Sequence, residues 1–235
     1  MENIGNKKQI DPGNIRIMIK GGIKLFILLA LMFLAAGRID YWQGWVFTGI
    51  IFIHVVIAAI MFLDTPDLAK ERVKPGPGMK WWDKIFYVFF ITFSLTTFAV
   101  APLDAGRFGW TSPLPMAVYI LAYLIYILSV AIGIWAMRAN RFFSSVVRIQ
   151  SDRGQVVVES GPYRFVRHPG YVGGILMFVS LPLILGSVMG LIPGGVSIIC
   201  LLIRTYLEDR TLQKELSGYA DYTKKVKYRL LPGIW

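Results

Sequence analysis

From residue 169 to residue 203 the chain runs thirty-five positions without a charged side chain. A bilayer core about 30 Å thick asks for roughly 20 apolar residues per spanning helix. As one helix this run would be about 52 Å long at ~1.5 Å per residue, too long for one crossing and right for two short ones. Gly186, Gly190 and then Pro193-Gly194-Gly195 punctuate its middle. The spacing therefore predicts a tight helical hairpin over 169–186 and about 189–207.

Four more uncharged runs fit the same template. They cover 25–37, 44–63, 85–103 and 108–137. The first reaches full length only if Lys24 snorkels to the interface. The fourth is longer than a bilayer needs, so it tilts or begins outside it. Composition agrees: 55 % of the 235 residues are hydrophobic and 17 % charged, against about 45–50 % and about 25 % in soluble domains. The expected fold is an all-α polytopic membrane protein of about six transmembrane helices. A cytoplasmic tail is expected over 1–20, four spans over 21–137, and the functional part over 138–235.

The net charge of +11 would suit nucleic acid, but its placement points elsewhere. Lysines and arginines number five in the N-terminal tail, five between the second and third spans, six over 138–167 and seven from Arg204 onward. That puts 23 of 25 on one side, with Arg38 and Arg107 on the other. The bias places both termini in the cytoplasm and turns the positive charge toward an anionic leaflet, so the partners are membrane lipids and no nucleic acid. The membrane would be the plasma membrane in a prokaryote and the endoplasmic reticulum in a eukaryote. Trp42, Trp45, Trp81, Trp82, Trp110 and Trp135 fall near span ends, as an interfacial belt does. One cysteine, Cys200, permits no intrachain disulfide, and two histidines permit no multi-histidine metal site.

Spans one to four carry little reactive chemistry. His54 lies at mid-membrane depth, where an ionisable group is either functional or hydrogen-bonded to a neighbouring helix. Polar density rises after Arg138. The segment to Arg167 is long for a helix connection and rich in Val, Phe and Tyr, which predicts a folded cap. Arg167-His168-Pro169 then opens the hairpin, with Pro at its preferred first helical position and a helix start that attracts anions. Gly170 and Gly174 share one face, for a close ligand or for helix packing. At the other end of the hairpin, Arg204 and Glu208 stand four apart on one face. Because the hairpin is antiparallel, its two ends meet at one membrane surface, bringing Arg204 and Glu208 near His168 and Tyr171.

The run Gly161-Pro-Tyr-Arg-Phe-Val-Arg-His-Pro-Gly-Tyr-Val-Gly173, the Arg204-x-x-x-Glu208-Asp209 pair and the ending Gly218-Tyr-x-x-Tyr222 through Pro232-x-x-Trp235 form a recognisable set. Over about ninety residues, 142–235, the chain resembles the isoprenylcysteine carboxyl methyltransferase family, its prokaryotic members above all. The resemblance implies an S-adenosylmethionine-dependent carboxyl O-methyltransferase of the membrane, acting on a lipophilic small-molecule or lipid-modified substrate. It puts the cofactor on Arg148, the strand-like run Gln155, Val156, Val157 and Val158, on Tyr163, on the turn His168, Pro169, Gly170 and Tyr171, and on Glu208. It puts the substrate on Arg204, with Arg204 and Glu208 as the catalytic pair and no metal. In the eukaryotic pattern a glutamine stands at the place of Arg148 and a histidine at that of Gln155.

The chemistry of methyl transfer is compatible with this set. A carboxylate acceptor is already ionised at neutral pH and needs orientation, which a two-pronged arginine supplies. Glu208 would face the ribose, ammonium or sulfonium of the cofactor. Three alternatives stay open. In a phospholipid or other amine N-methyltransferase, Glu208 or Asp209 would take a proton from the amine. The others are an NADPH-dependent sterol-type reductase and a non-catalytic lipid-binding or transport subunit.

Overall fold

The computed structural model describes residues 12–235, with side chains from residue 21 onward. It is all-helical, a polytopic membrane protein. Six long helices form the bundle: α1 (Pro12–Ala36), α2 (Trp42–Asp64), α4 (Trp81–Pro102), α5 (Met116–Ala139), α6 (Pro169–Ile184) and α7 (Leu191–Glu215). Two short helices, α3 (Pro66–Val73) and α8 (Tyr219–Lys225), lie at the charged end. Among the described residues, four stretches can cross a membrane by length and composition: α2, α4 with its π-helical extension to Phe108, α5 and α7. The apolar parts of α1 (Gly21–Ala36) and α6 are shorter.

The tail expected over 1–20 is helical from Pro12; residues 1–11 lie outside the described part. The long fourth run begins as a helix only at Met116, because Pro113 and Pro115 hold the preceding segment extended. The expected hairpin is present. Its turn falls at Leu185–Gly190, where Gly186 takes a φ of 78°. Pro193 lies inside the first turn of α7, where a proline costs no hydrogen bond, and Gly194 and Gly195 follow it in the same helix.

The helices stand in sequence of contact: α5 against α6, α6 against α7, α7 against α4, and α1 against α4. The α5–α6 seam is close because α6 offers glycine. A Cβ on Gly173 would sit 2.9 Å from the Ser129 carbonyl oxygen, and the Ser129 hydroxyl donates to the Gly173 carbonyl at 2.8 Å. The small-residue face thus serves helix packing at Gly173 and Gly174, whose Cβ would meet Leu201. Met32, Ala36, Phe47, Ala101, Ala122, Leu181 and Ile184 form the core of the bundle. Outward, Phe26, Phe52, Val88, Ile127 and Ile192 are exposed, the apolar coat that lipid contact requires. His54 Nδ1 lies 3.1 Å from the Tyr126 hydroxyl, so this mid-membrane imidazole is hydrogen-bonded between α2 and α5. Cys200 packs beside Phe86, Phe178 and Leu201.

At the charged end, residues 140–168 fold into a cap. Leu216, Tyr219, Tyr222 and Val226 pack with Ile149, Val157 and Leu212 to give it a core of its own. The C-terminal segment clips onto it: the amides of Arg167 and His168 donate to the carbonyls of Tyr228 and Arg229, each at 2.9 Å.

Candidate active site

Between the cap and the charged ends of α6 and α7 lies a cavity of about 240 Å³. This is just below the usual range of small-molecule sites, ~300–1,000 Å³. Ten residues expected at the site line it: Arg148, Gln155, Val156, Val157, Val158, Tyr163, His168, Gly170, Tyr171 and Glu208. The hairpin does what its topology demands, delivering His168 and Tyr171 from α6 to Glu208 from α7. The Tyr171 hydroxyl donates to a Glu208 carboxylate oxygen. Glu208 is half-buried and has no ion-pair partner among the described residues.

Four details depart from the expectation. Pro169 is buried but stands off the cavity wall. Residues 155–158 are extended yet pair with no strand; the Gln155 amide donates to the Gln150 carbonyl at 3.2 Å, and the backbone groups of Val156, Val157 and Val158 stay open. The start of α6 is a poorer anion site than a bare helix end, because Pro169 has no N–H and the Tyr171 amide turns back to the His168 carbonyl at 3.0 Å. Most consequentially, Arg204 lies behind the wall rather than on it.

Arg204 is buried in an aromatic slot, its guanidinium carbon 4.4 Å from the Phe86 ring centroid, 5.2 Å from that of Tyr87 and 5.8 Å from that of Tyr171. It is already neutralised. Its Nε lies 2.9 Å from Asp83 Oδ1, and its Nη2 donates to Asp83 Oδ2 at 3.2 Å and to the Ser145 carbonyl at 2.7 Å. Nε and Oδ1 approach without hydrogen-bond alignment, leaving both buried atoms unsatisfied. Asp83 also accepts from the Val147 amide at 2.7 Å, which ties α4 to the cap. In sequence Asp83 reads as a charge at a span entrance, and nothing local marks its partner 121 residues away.

Arg148 is on the wall but is also spoken for. It forms a two-pronged pair with Glu71 of α3, both distances 2.9 Å, and reaches Asp152 at 2.7 Å. Burial alone would raise the Glu71 carboxyl; hydrogen bonds from Arg148 and Ser144 outweigh it and hold the group below its ordinary value. The Arg148 guanidinium is held above its ordinary value by hydrogen bonds to Glu71 and Asp152. Gly76 is needed beside it, since a Cβ there would meet Arg148 Nη2 at 2.7 Å.

Asp209, next to Glu208, points away from the cavity into a buried cluster. It accepts from Arg167 at 2.8 and 3.0 Å, Arg229 at 2.8 Å, Gln213 at 2.8 Å and the Tyr219 hydroxyl at 3.1 Å, with His168 Nε2 at 3.2 Å. So saturated an aspartate holds the cap closed and is a poor proton acceptor for a substrate. The Tyr163 hydroxyl, buried and beside Asn140, is pushed well above its ordinary value by burial first.

The chain folds as an integral membrane protein with a hollow of mixed polar and apolar lining at its charged end, which suits a small-molecule reaction at the membrane surface. Residues 117–217 match the model of a family described as phospholipid methyltransferase (PEMT), from α5 through the hairpin. No curated protein matches the chain. The matched stretch is less than half of the sequence and leaves out Glu71, Asp83 and Tyr219, which build or brace the site from elsewhere.

Proposed function

We propose that the protein is an S-adenosylmethionine-dependent methyltransferase that acts on a lipophilic acceptor at the cytoplasmic leaflet. The observation that carries this reading is Glu208, a carboxylate with no ion-pair partner among the described residues, on the wall of a cavity of mixed polar and apolar lining at the meeting point of α6 and α7. The donor set suits the cofactor. Val156, Val157, Val158 and Leu212 offer an apolar surface beside open backbone donors and acceptors, which fits a purine and its polar edge. Glu208 suits a sulfonium or ammonium. When bound, the cofactor would supply a methyl group on positively charged sulfur; the chain's part is to hold donor and acceptor in line, an effect worth several kcal/mol.

Two observations favour an amine acceptor of the phospholipid type. The family match carries that description. Glu208 is also free to take the proton that an amine must lose, while Arg204 is occupied by Asp83. The carboxylate acceptor is a second reading. The misaligned Arg204–Asp83 pair favours it, since a guanidinium with unsatisfied geometry loses little by re-aiming at a substrate carboxylate.

The test is calorimetric titration of the detergent-purified protein with S-adenosylhomocysteine and, separately, NADPH. Binding of the first alone is the expected result; binding of the second alone overturns the proposal. Labelled methyl donor with phosphatidylethanolamine or a prenylcysteine acid then separates the two acceptors.

A further inference from the structure

Three arginines line the cavity: Arg72, Arg148 and Arg167. Arg148 is neutralised by Glu71 and Asp152, and Arg167 by Asp209. Arg72, from α3, has no carboxylate partner and no side-chain hydrogen bond among the described residues. It is held in place all the same. Its guanidinium carbon lies 5.2 Å from the Phe143 ring centroid, and its carbonyl accepts from the Ser145 hydroxyl at 3.2 Å. The Phe143 ring in turn sits so close to Gly170 that a Cβ there would meet it at 2.6 Å. Arg72 is therefore a braced cation facing a hollow, at an energetic disadvantage: burial first pushes its guanidinium below the ordinary value, Tyr87 opposes, and the nearby positive charge of Arg204 adds to the push.

Its position in the cavity says which end of a ligand it meets. Tyr87 shares this wall and stands just inside the apolar run that opens at Ile85. α3 itself follows the membrane helix α2 directly. Arg72 thus marks the bilayer side of the cavity, whereas Val157, Leu216, Tyr219 and Tyr222 mark the cap side. A lipid reaching the cavity past Tyr87 would bring its headgroup to Arg72. The anion of a glycerophospholipid headgroup is the phosphodiester, a few bonds from the amine, and a planar two-pronged cation suits it well.

Resting on the amine-acceptor reading above, we infer that Arg72 binds the phosphodiester of the lipid acceptor and so sets the enzyme's preference for phospholipid over simple amines. It is a binding and specificity residue, and Glu208, on α7, would face the reacting amine.

The experiment compares wild type with Arg72→Gln and Arg72→Lys, using phosphatidylethanolamine and a long-chain primary amine without phosphate as acceptors. S-adenosylhomocysteine affinity is measured on all three proteins. Losing one charge-assisted contact should raise the KM for phosphatidylethanolamine about 10- to 100-fold in Arg72→Gln. The KM for the alkylamine and the S-adenosylhomocysteine affinity should stay within about twofold; Arg72→Lys, which keeps the charge but loses the fork, should fall between. Equal loss toward both acceptors would mean a structural role and overturn the inference. So would weakened S-adenosylhomocysteine binding with the lipid KM unchanged, which would put the cofactor's own carboxylate on Arg72. The two proposals fail separately: wild type that binds no S-adenosylhomocysteine defeats the methyltransferase reading. Wild type that binds it but methylates only a prenylcysteine acid defeats the Arg72 assignment alone.

Discussion

A fully buried aspartate pins each end of the α6–α7 hairpin, and the two are pinned in opposite ways. At the turn, Asp104 accepts from neutral donors only: the Thr111 amide at 2.6 Å, the Thr111 hydroxyl at 2.5 Å, the Ser187 hydroxyl at 2.6 Å and, more weakly, the Met189 amide at 3.4 Å. At the open end, Asp209 gathers Arg167 and Arg229, with His168 beside them. The first pin ties the π-helical extension of α4 to the hairpin turn and closes a structural end. The second draws α6, α7, α8 and the C-terminal segment around the cavity, and its cations would repel one another without it. A buried cluster of mixed charge is costly to break and demanding in geometry. That suits an end of the molecule where the shape of a hollow matters.

The contrast can be broken most severely at Asp209. Asp209→Ala strands the buried Arg167 and the half-buried Arg229 and should cost about 3–5 kcal/mol, read as the largest fall in apparent Tm, with S-adenosylhomocysteine binding lost. Next comes the Glu71–Arg148 pair. Glu71→Gln should destabilise less, because Asp152 still faces Arg148. Its effect should depend on pH. Glu71 is held below its ordinary value when folded, so its contribution is present above the unfolded value of about 4.3 and drains as pH falls through the folded one. The gap in apparent Tm between wild type and Glu71→Gln should therefore be widest near pH 7 and close in acid. Asp104→Ala should cost about 1–3 kcal/mol for its stranded donors while leaving S-adenosylhomocysteine affinity nearly unchanged; a large loss of affinity there would erase the distinction between the two ends. Smallest, Gly173→Ala forces α6 off the Ser129 carbonyl and should cost about 1 kcal/mol, seen as a modest drop in apparent Tm.

What the sequence disclosed follows from range. The hairpin was legible because its length is set by the bilayer and its break by Gly186 and Gly190. The meeting of Tyr171 and Glu208 followed from antiparallel geometry alone. Ten of the cavity residues came from the motif between Gln155 and Tyr171 together with Arg148 and Glu208. Arg204 was found as a candidate, but not its ion pair: Asp83 belongs to another helix, and a carboxylate at a span entrance carries no sign of a partner across the bundle. Arg72 was hidden for the same reason. In sequence it is one of five cations in a loop that sets topology, and only packing against Phe143 separates it from Lys70 and Lys74. The Gln155–Val158 run read as strand-like because valines favour extended backbone; it is extended, yet lacks the neighbour that would make a sheet.

The backbone clip between residues 167–168 and 228–229 bears on how the protein is made. A wall of the hollow closes only when a segment some sixty positions downstream arrives. The helices can enter the bilayer one after another during synthesis, but the pocket cannot take shape until Arg229 has left the ribosome. On the proposed function, that order of events would keep a nascent chain from acting on the lipids that already surround it.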